Sequence, residues 1–116
     1  MAVPRSLKVG DLLKHEISNI MLREIKDPRV KFSTITAVKV SNDLKNAWVY
    51  ISVMAEEEEK ASELQALNHA ESFVRNLLKT RVTLKYIPHL EFRLDETLDY
   101  AEKIERLIDQ IKKEDV

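Results

Sequence analysis

Four cations stand within the ten residues REIKDPRVKF, 23–32: Arg23, Lys26, Arg29 and Lys31, disposed about Asp27-Pro28. Guanidinium and ammonium groups on a stiffened corner suit phosphate recognition, because they fix a nucleic-acid backbone in register without reading its bases. Proline fixes its own φ, and Asp27 can accept from neighbouring backbone amides in the turn. A structural use explains part of the pattern. Arg23 and Lys26 fall where a helix C-terminus favours positive charge, its last carbonyls being partly negative. Arg29 and Lys31 lie past the helix and gain nothing from that. The expectation is a double use: Asp27-Pro28 builds the corner and the cations face phosphates.

More cations can join them. Arg5, Lys8 and Lys14 come from the N-terminal segment, and Arg75, Lys79, Arg81 and Lys85 from later in the chain. Arg75 and Lys79 are four apart and share a helix face. Singly, each reads as an ordinary solvated side chain. As a cluster they suit sequence-tolerant contact with phosphates. Lys39 and Lys45 are peripheral candidates. Trp48 and Tyr50 could stack on splayed bases, although aromatics in a domain this small are more often packed, and Tyr86 poses the same choice.

Other chemistries have little to stand on. The chain has no cysteine, which removes disulfides, thiolate catalysis and cysteine-based zinc sites. His15, His69 and His89 have no second ligand at metal spacing, so no metal is expected. His15 and Glu16 are adjacent, and on a helix adjacent side chains point about 100° apart, which argues against an acid–base pair. The single glycine, Gly10, cannot build a Walker loop, a dinucleotide fingerprint or a KH-type GxxG loop. No catalytic residue and no cofactor are expected. Glu56–Glu59 and Asp95, Glu96 and Asp99 each stand before a helix, where the dipole favours carboxylates.

The elements that must position these residues follow from periodicity. Apolar residues at Leu13, Ile17, Ile20/Met21 and Ile25 mark a first helix ending by Asp27, since Pro28 disfavours helix before it. KFSTITAVKVS and AWVYISVM read as strands paired in a hairpin across NDLKN, with Ala47, Val49, Ile51 and Val53 on one face. Leu64, Leu67, Ala70, Val74 and Leu77/Leu78 stripe a second helix. Leu90, Phe92 and Leu94 alternate in a third strand, and Ala101, Ile104, Leu107/Ile108 and Ile111 stripe a last helix. The order is α-β-β-α-β-α, in one domain spanning residues 1–116. Net charge is −1, yet residues 1–48 carry nine Lys/Arg against five Asp/Glu and residues 87–116 five against nine. That asymmetry can make a one-sided positive surface. No apolar run approaches a membrane span or a signal-peptide core, so a soluble cytoplasmic protein is expected.

The strings EIKDPRV, VKVSNDLKNAWVYISV and NHAESFVRNLLKTRVTLKYIPHLEFRLDET fall in order at family-like spacing. On them the chain, over about residues 5–112, closely resembles the ribosome-binding factor A family of bacterial small-subunit assembly factors. The resemblance implies an α+β fold like a type II KH domain, a three-stranded sheet with helices on one face and no GxxG loop. It also implies a kink in the second helix at Ala70-Glu71-Ser72, where serine stands in place of the usual glycine and can still support a bend through local bonding to the backbone. The implied role is non-catalytic. The protein would bind the free 30S subunit, assist late 16S rRNA maturation including 5′-end processing, matter most in the cold, and leave before translation. Assembly GTPases would be functional partners, and a monomer is expected. The competing reading is a protein–protein adaptor in ribosome assembly that makes no direct RNA contact.

Overall fold

The computed structural model describes residues 3–25, 33–96 and 107–109. Helix α1 runs from Arg5 to Arg23 and buries Val9, Leu13, Ile17, Ile20 and Met21 along one stripe. Pro4 precedes it, and the amides of Leu7 and Lys8 bond to the Pro4 carbonyl at 3.1 and 3.3 Å. The helix stops at Glu24, whose amide bonds to the Ile20 carbonyl. Gly10 lies on the buried face: a Cβ there would come within 2.9 Å of the Val38 carbonyl oxygen. Only a residue without a side chain lets α1 approach the next strand this closely.

Strands β1 (Ser33–Val40) and β2 (Asn46–Val53) form the antiparallel hairpin, and β3 (His89–Leu94) joins β2 in parallel, giving the order β1-β2-β3. The register shifts between Ile35 and Ala37. Thr36 occupies the shift, and its hydroxyl donates to Asp95 Oδ2 at 2.6 Å. On β2, Ala47, Val49, Ile51 and Val53 are buried while Trp48 and Tyr50 are half-buried on the other face. The alternation follows from the two-residue period of an extended chain.

A parallel strand requires a crossover, and here it is helical. Helix α2 (Glu57–His69) and helix α3 (Glu71–Arg81) are one helix broken at Ala70, which has φ −86° and ψ 2°. The Ala70 amide is shared between the carbonyls of Ala66 and Leu67, at 3.0 and 3.1 Å, so the last turn of α2 tightens before α3 begins. The break has a structural use. Asn68 Nδ2 donates to the Phe92 carbonyl and Asn68 Oδ1 accepts from the Phe92 amide, at 3.2 and 2.9 Å. Glu71 Oε1 accepts from the Leu90 amide at 3.1 Å. Side chains on either side of the kink thus satisfy the outer edge of β3, which no further strand covers among the described residues.

The helices pack on one face of the sheet. Leu13, Ile17, Ile20, Val49, Ile51, Leu67, Val74, Leu78 and Phe92 make up the fully excluded centre of the core. With the two parts of the second helix taken together and the helical residues 107–109 coming after β3, the order is α-β-β-α-β-α, a KH-like α+β architecture. The rest of the expected last helix, with Asp99, lies outside the described residues.

Candidate nucleic-acid interface

Among the described residues, the expected cations fall into groups with different surroundings. Arg5 opens α1, and Lys85 lies in the segment between α3 and β3. They are 80 positions apart in sequence yet line one open cavity of about 210 Å³. Asp43, in the β1–β2 turn, shares that lining with Tyr86. Lys85 Nζ stands 5.7 Å from the centre of the Tyr86 ring, which is 67% exposed. The floor is apolar, formed among others by Val9, Leu44 and Pro88.

The turn beneath the cavity is held firmly. Asp43 Oδ1 accepts from the Ser41 hydroxyl at 2.6 Å and from the Lys45 amide at 3.0 Å. The Ser41 hydroxyl accepts in turn from the Asn46 amide at 3.1 Å. The Ser41 bond first, and the Lys45 amide second, hold the pKa of Asp43 below its ordinary value. Leu44 has φ 61°, a left-handed conformation that side chains seldom adopt, and its side chain packs against the core cluster.

A second group is tied to carboxylates. Arg81 Nη2 donates to Glu24 Oε1 at 3.1 Å, clasping the ends of α3 and α1. Arg75 Nε lies 3.6 Å from Glu71 Oε1, and Arg75 Nη1 donates to His89 Nδ1. Arg75 and Glu71 thereby brace the kink against the start of β3. Both arginines thus have a structural task. Lys8, Lys14, Arg23 and Lys79 are exposed on their helices. Lys14 is six positions from Lys8, about 120° round the helix, so these two diverge. Lys26, Arg29 and Lys31, like Asp27-Pro28, lie outside the described residues.

The open face of the sheet carries cations over aromatic rings. Lys39 Nζ is 5.4 Å from the Tyr50 ring centre, and Arg93 Cζ is 5.9 Å from that of Trp48. Arg93 Nη2 donates to Glu91 Oε2 at 3.1 Å, and this bond raises the Arg93 pKa further. Neither Arg93 nor Asp43 was a residue the sequence pattern singled out for binding. For Arg93 the signal was available: LEFRL alternates, so Arg93 must share the outer face with Trp48 and Tyr50. Asp43 carried no such signal, because its neighbours Arg5 and Lys85 are distant in sequence. Among the described residues no group of three or more His, Cys, Asp or Glu could hold a metal ion. No described helix is long and apolar enough to cross a membrane.

Comparisons with known proteins agree with this architecture. The family model described as ribosome-binding factor A matches residues 5–108. A ribosome-binding factor A from Syntrophobacter fumaroxidans is 44% identical over 115 residues, covering 97% of this chain and 98% of that protein. The crystal structure of ribosome-binding factor A from Thermus thermophilus superposes with a TM-score of 0.67 at 30% identity, covering 77% of this chain and 94% of that one. A homology model of the Thermus thermophilus protein, fitted into a cryo-EM map of a 30S–RbfA complex, superposes with a TM-score of 0.62 at 31% identity, covering 74% and 90%.

Proposed function

The chain belongs to the ribosome-binding factor A family, and from that premise we propose that it is a non-catalytic assembly factor binding the free small ribosomal subunit through its rRNA. The observation that carries this reading is the similarity, along most of the chain, to a Thermus thermophilus protein described in a complex with the 30S subunit. The cationic side chains of α1 and of the α3–β3 segment supply the phosphate-facing charge, with Lys26, Arg29 and Lys31 extending it. No GxxG loop is present to clamp a strand, so contact is by charge and shape over a wide surface. The protein acts in the cytoplasm, as a monomer, during late 16S rRNA maturation including formation of the 5′ end, alongside assembly GTPases. Its contribution is greatest in the cold, when rRNA escapes slowly from wrong pairings.

The test is sedimentation of the full chain with mature and immature small subunits at increasing salt. Association should favour immature subunits and fall steeply between about 50 and 200 mM salt, since each phosphate contact releases counterions. A combined Arg5→Glu, Lys8→Glu, Arg23→Glu variant should lose association while keeping its circular dichroism spectrum. Association that ignores salt and survives removal of RNA by nuclease would instead make the protein an adaptor. Cells lacking the protein should accumulate unprocessed 16S precursor, more so at low temperature; equal processing with and without it would remove the maturation role.

A further inference from the structure

The cavity at the hairpin end has a composition that phosphate binding alone does not explain. A surface built only for phosphate has no use for a carboxylate, which repels it, nor for an apolar floor beneath an exposed tyrosine. At about 210 Å³ the cavity is smaller than the roughly 300–1,000 Å³ of a site for a drug-sized molecule, and suits a group near the size of one ring. We propose that it takes a single unpaired nucleotide whose base carries an exocyclic amine. Tyr86 stacks on the base, Asp43 accepts from the amine, and Arg5 and Lys85 hold the flanking phosphate. The proposal deepens the rRNA-binding reading and rests on it for its biological setting, though the pocket chemistry is separately testable.

Each part has a physical reason. Every base has a flat π face, and an exposed aromatic ring over apolar ground offers it a sequence-tolerant platform. Lys85 Nζ lies over one face of the Tyr86 ring, so the base takes the other face and Lys85 supplies positive charge for the phosphate close by. Asp43 supplies the selectivity. Both of its turn bonds fall on Oδ1, so Oδ2 takes neither and is left for a donor on the ligand. An ionised carboxylate can only accept, and it pairs with the N4 amine of cytosine. Uracil presents an oxygen at the same place, and two acceptors repel. The firmness of the turn, with Leu44 held in its left-handed conformation, keeps the acceptor in position before the ligand arrives.

The experiment follows backbone amide resonances of the isotopically labelled full chain during titration with 5′-CMP, 5′-UMP and inorganic phosphate. CMP should shift Arg5, Leu44, Lys85 and Tyr86 with an affinity at least about fivefold above that of UMP, the discrimination expected of one base contact. Inorganic phosphate should not reproduce the pattern. Tyr86→Ala, at an exposed position, should weaken CMP by about tenfold while leaving the remaining spectrum in place. Equal response to CMP and UMP, full reproduction by phosphate, or shifts confined to other cations would overturn the site. A parallel sedimentation arm separates the two readings. If the wild-type chain binds immature subunits and Tyr86→Ala binds them equally well, the cavity is not a subunit contact and subunit binding stands. If the wild-type chain binds no subunit, the assembly reading falls and the CMP titration still decides the pocket.

Discussion

The two faces of one strand divide the labour of this protein. On β2, Ala47, Val49, Ile51 and Val53 are buried beneath the helices, whereas Trp48 and Tyr50, one residue over, stay half-exposed under Arg93 and Lys39. Burial of apolar area is the dominant favourable term in folding, so the inner face sets stability. Cation–ring contacts at exposed sites are worth about 0.5–1 kcal/mol and contribute little. A small domain organised this way can keep the charged residues on the outer face of its sheet exchangeable, because the fold does not depend on them. The same division recurs among the cations. Arg75 and Arg81 are engaged with carboxylates that join elements, while Arg5 and Lys85 border an open cavity.

Phe92→Ala tests the division most severely. Phe92 is essentially excluded from solvent at the centre of the core, and its truncation should cost about 3–5 kcal/mol by urea denaturation. A loss below about 1 kcal/mol would mean that the inner face does not set stability. Asn68→Ala comes next. It strips both partners from the Phe92 backbone at the edge of β3, and leaving such groups unpaired costs about 1–3 kcal/mol. If Asn68→Ala is neutral, water replaces these bonds and Asn68 has no role in sealing the edge.

These positions also show how far the sequence could be read. The alternation in NAWVYISV assigns each β2 side chain to its face, because an extended chain permits only two directions. The stripe from Leu64 to Leu78 marks one continuous helix, and nothing in its periodicity marks the break at Ala70; the family resemblance supplied it. The break serves contacts with Leu90 and Phe92, some twenty residues away, and long-range partners leave no trace in a local pattern. Site residues divide for the same reason. The richness of cations at the front of the chain is visible in composition, but whether each meets a carboxylate is decided by tertiary packing. Arg81 finds Glu24 across 57 positions. The cavity likewise draws on three separated segments, so no spacing rule joins Arg5, Asp43 and Lys85.

A smaller effect is expected at Gly10, where two terms oppose each other. Gly10→Ala gains about 1 kcal/mol of helix propensity but drives a Cβ to 2.9 Å from backbone that cannot turn aside. Overpacking typically costs about 1–3 kcal/mol, so the net should be a modest loss, measured as a lower urea midpoint with an unchanged slope. A gain in stability would show that α1 can retreat from β1 freely. Arg93→Ala, on the open face, should change stability by less than about 1 kcal/mol. A larger loss would place folding energy on the outer face and blur the contrast.

The smallest expected effect concerns acid. Asp43 is held below its ordinary value of 3.8 by the Ser41 hydroxyl and the Lys45 amide, so its charged form is favoured by the folded turn. A depressed carboxylate contributes stability that is present above the unfolded value and lost as pH falls through the folded one. The wild-type protein should therefore exceed Asp43→Asn in stability by a small margin at neutral pH. That margin should shrink as pH drops below about 3.8, where the unfolded carboxyl is already protonated and the folded one follows. Asparagine keeps an oxygen that can accept the same two bonds, so the turn persists and only the contribution of charge is removed. A margin unchanged between about pH 7 and about pH 3 would show that turn geometry alone, and not the ionised carboxylate, stabilises the hairpin end. The cavity would then be bordered by an acceptor whose charge the fold does not sustain.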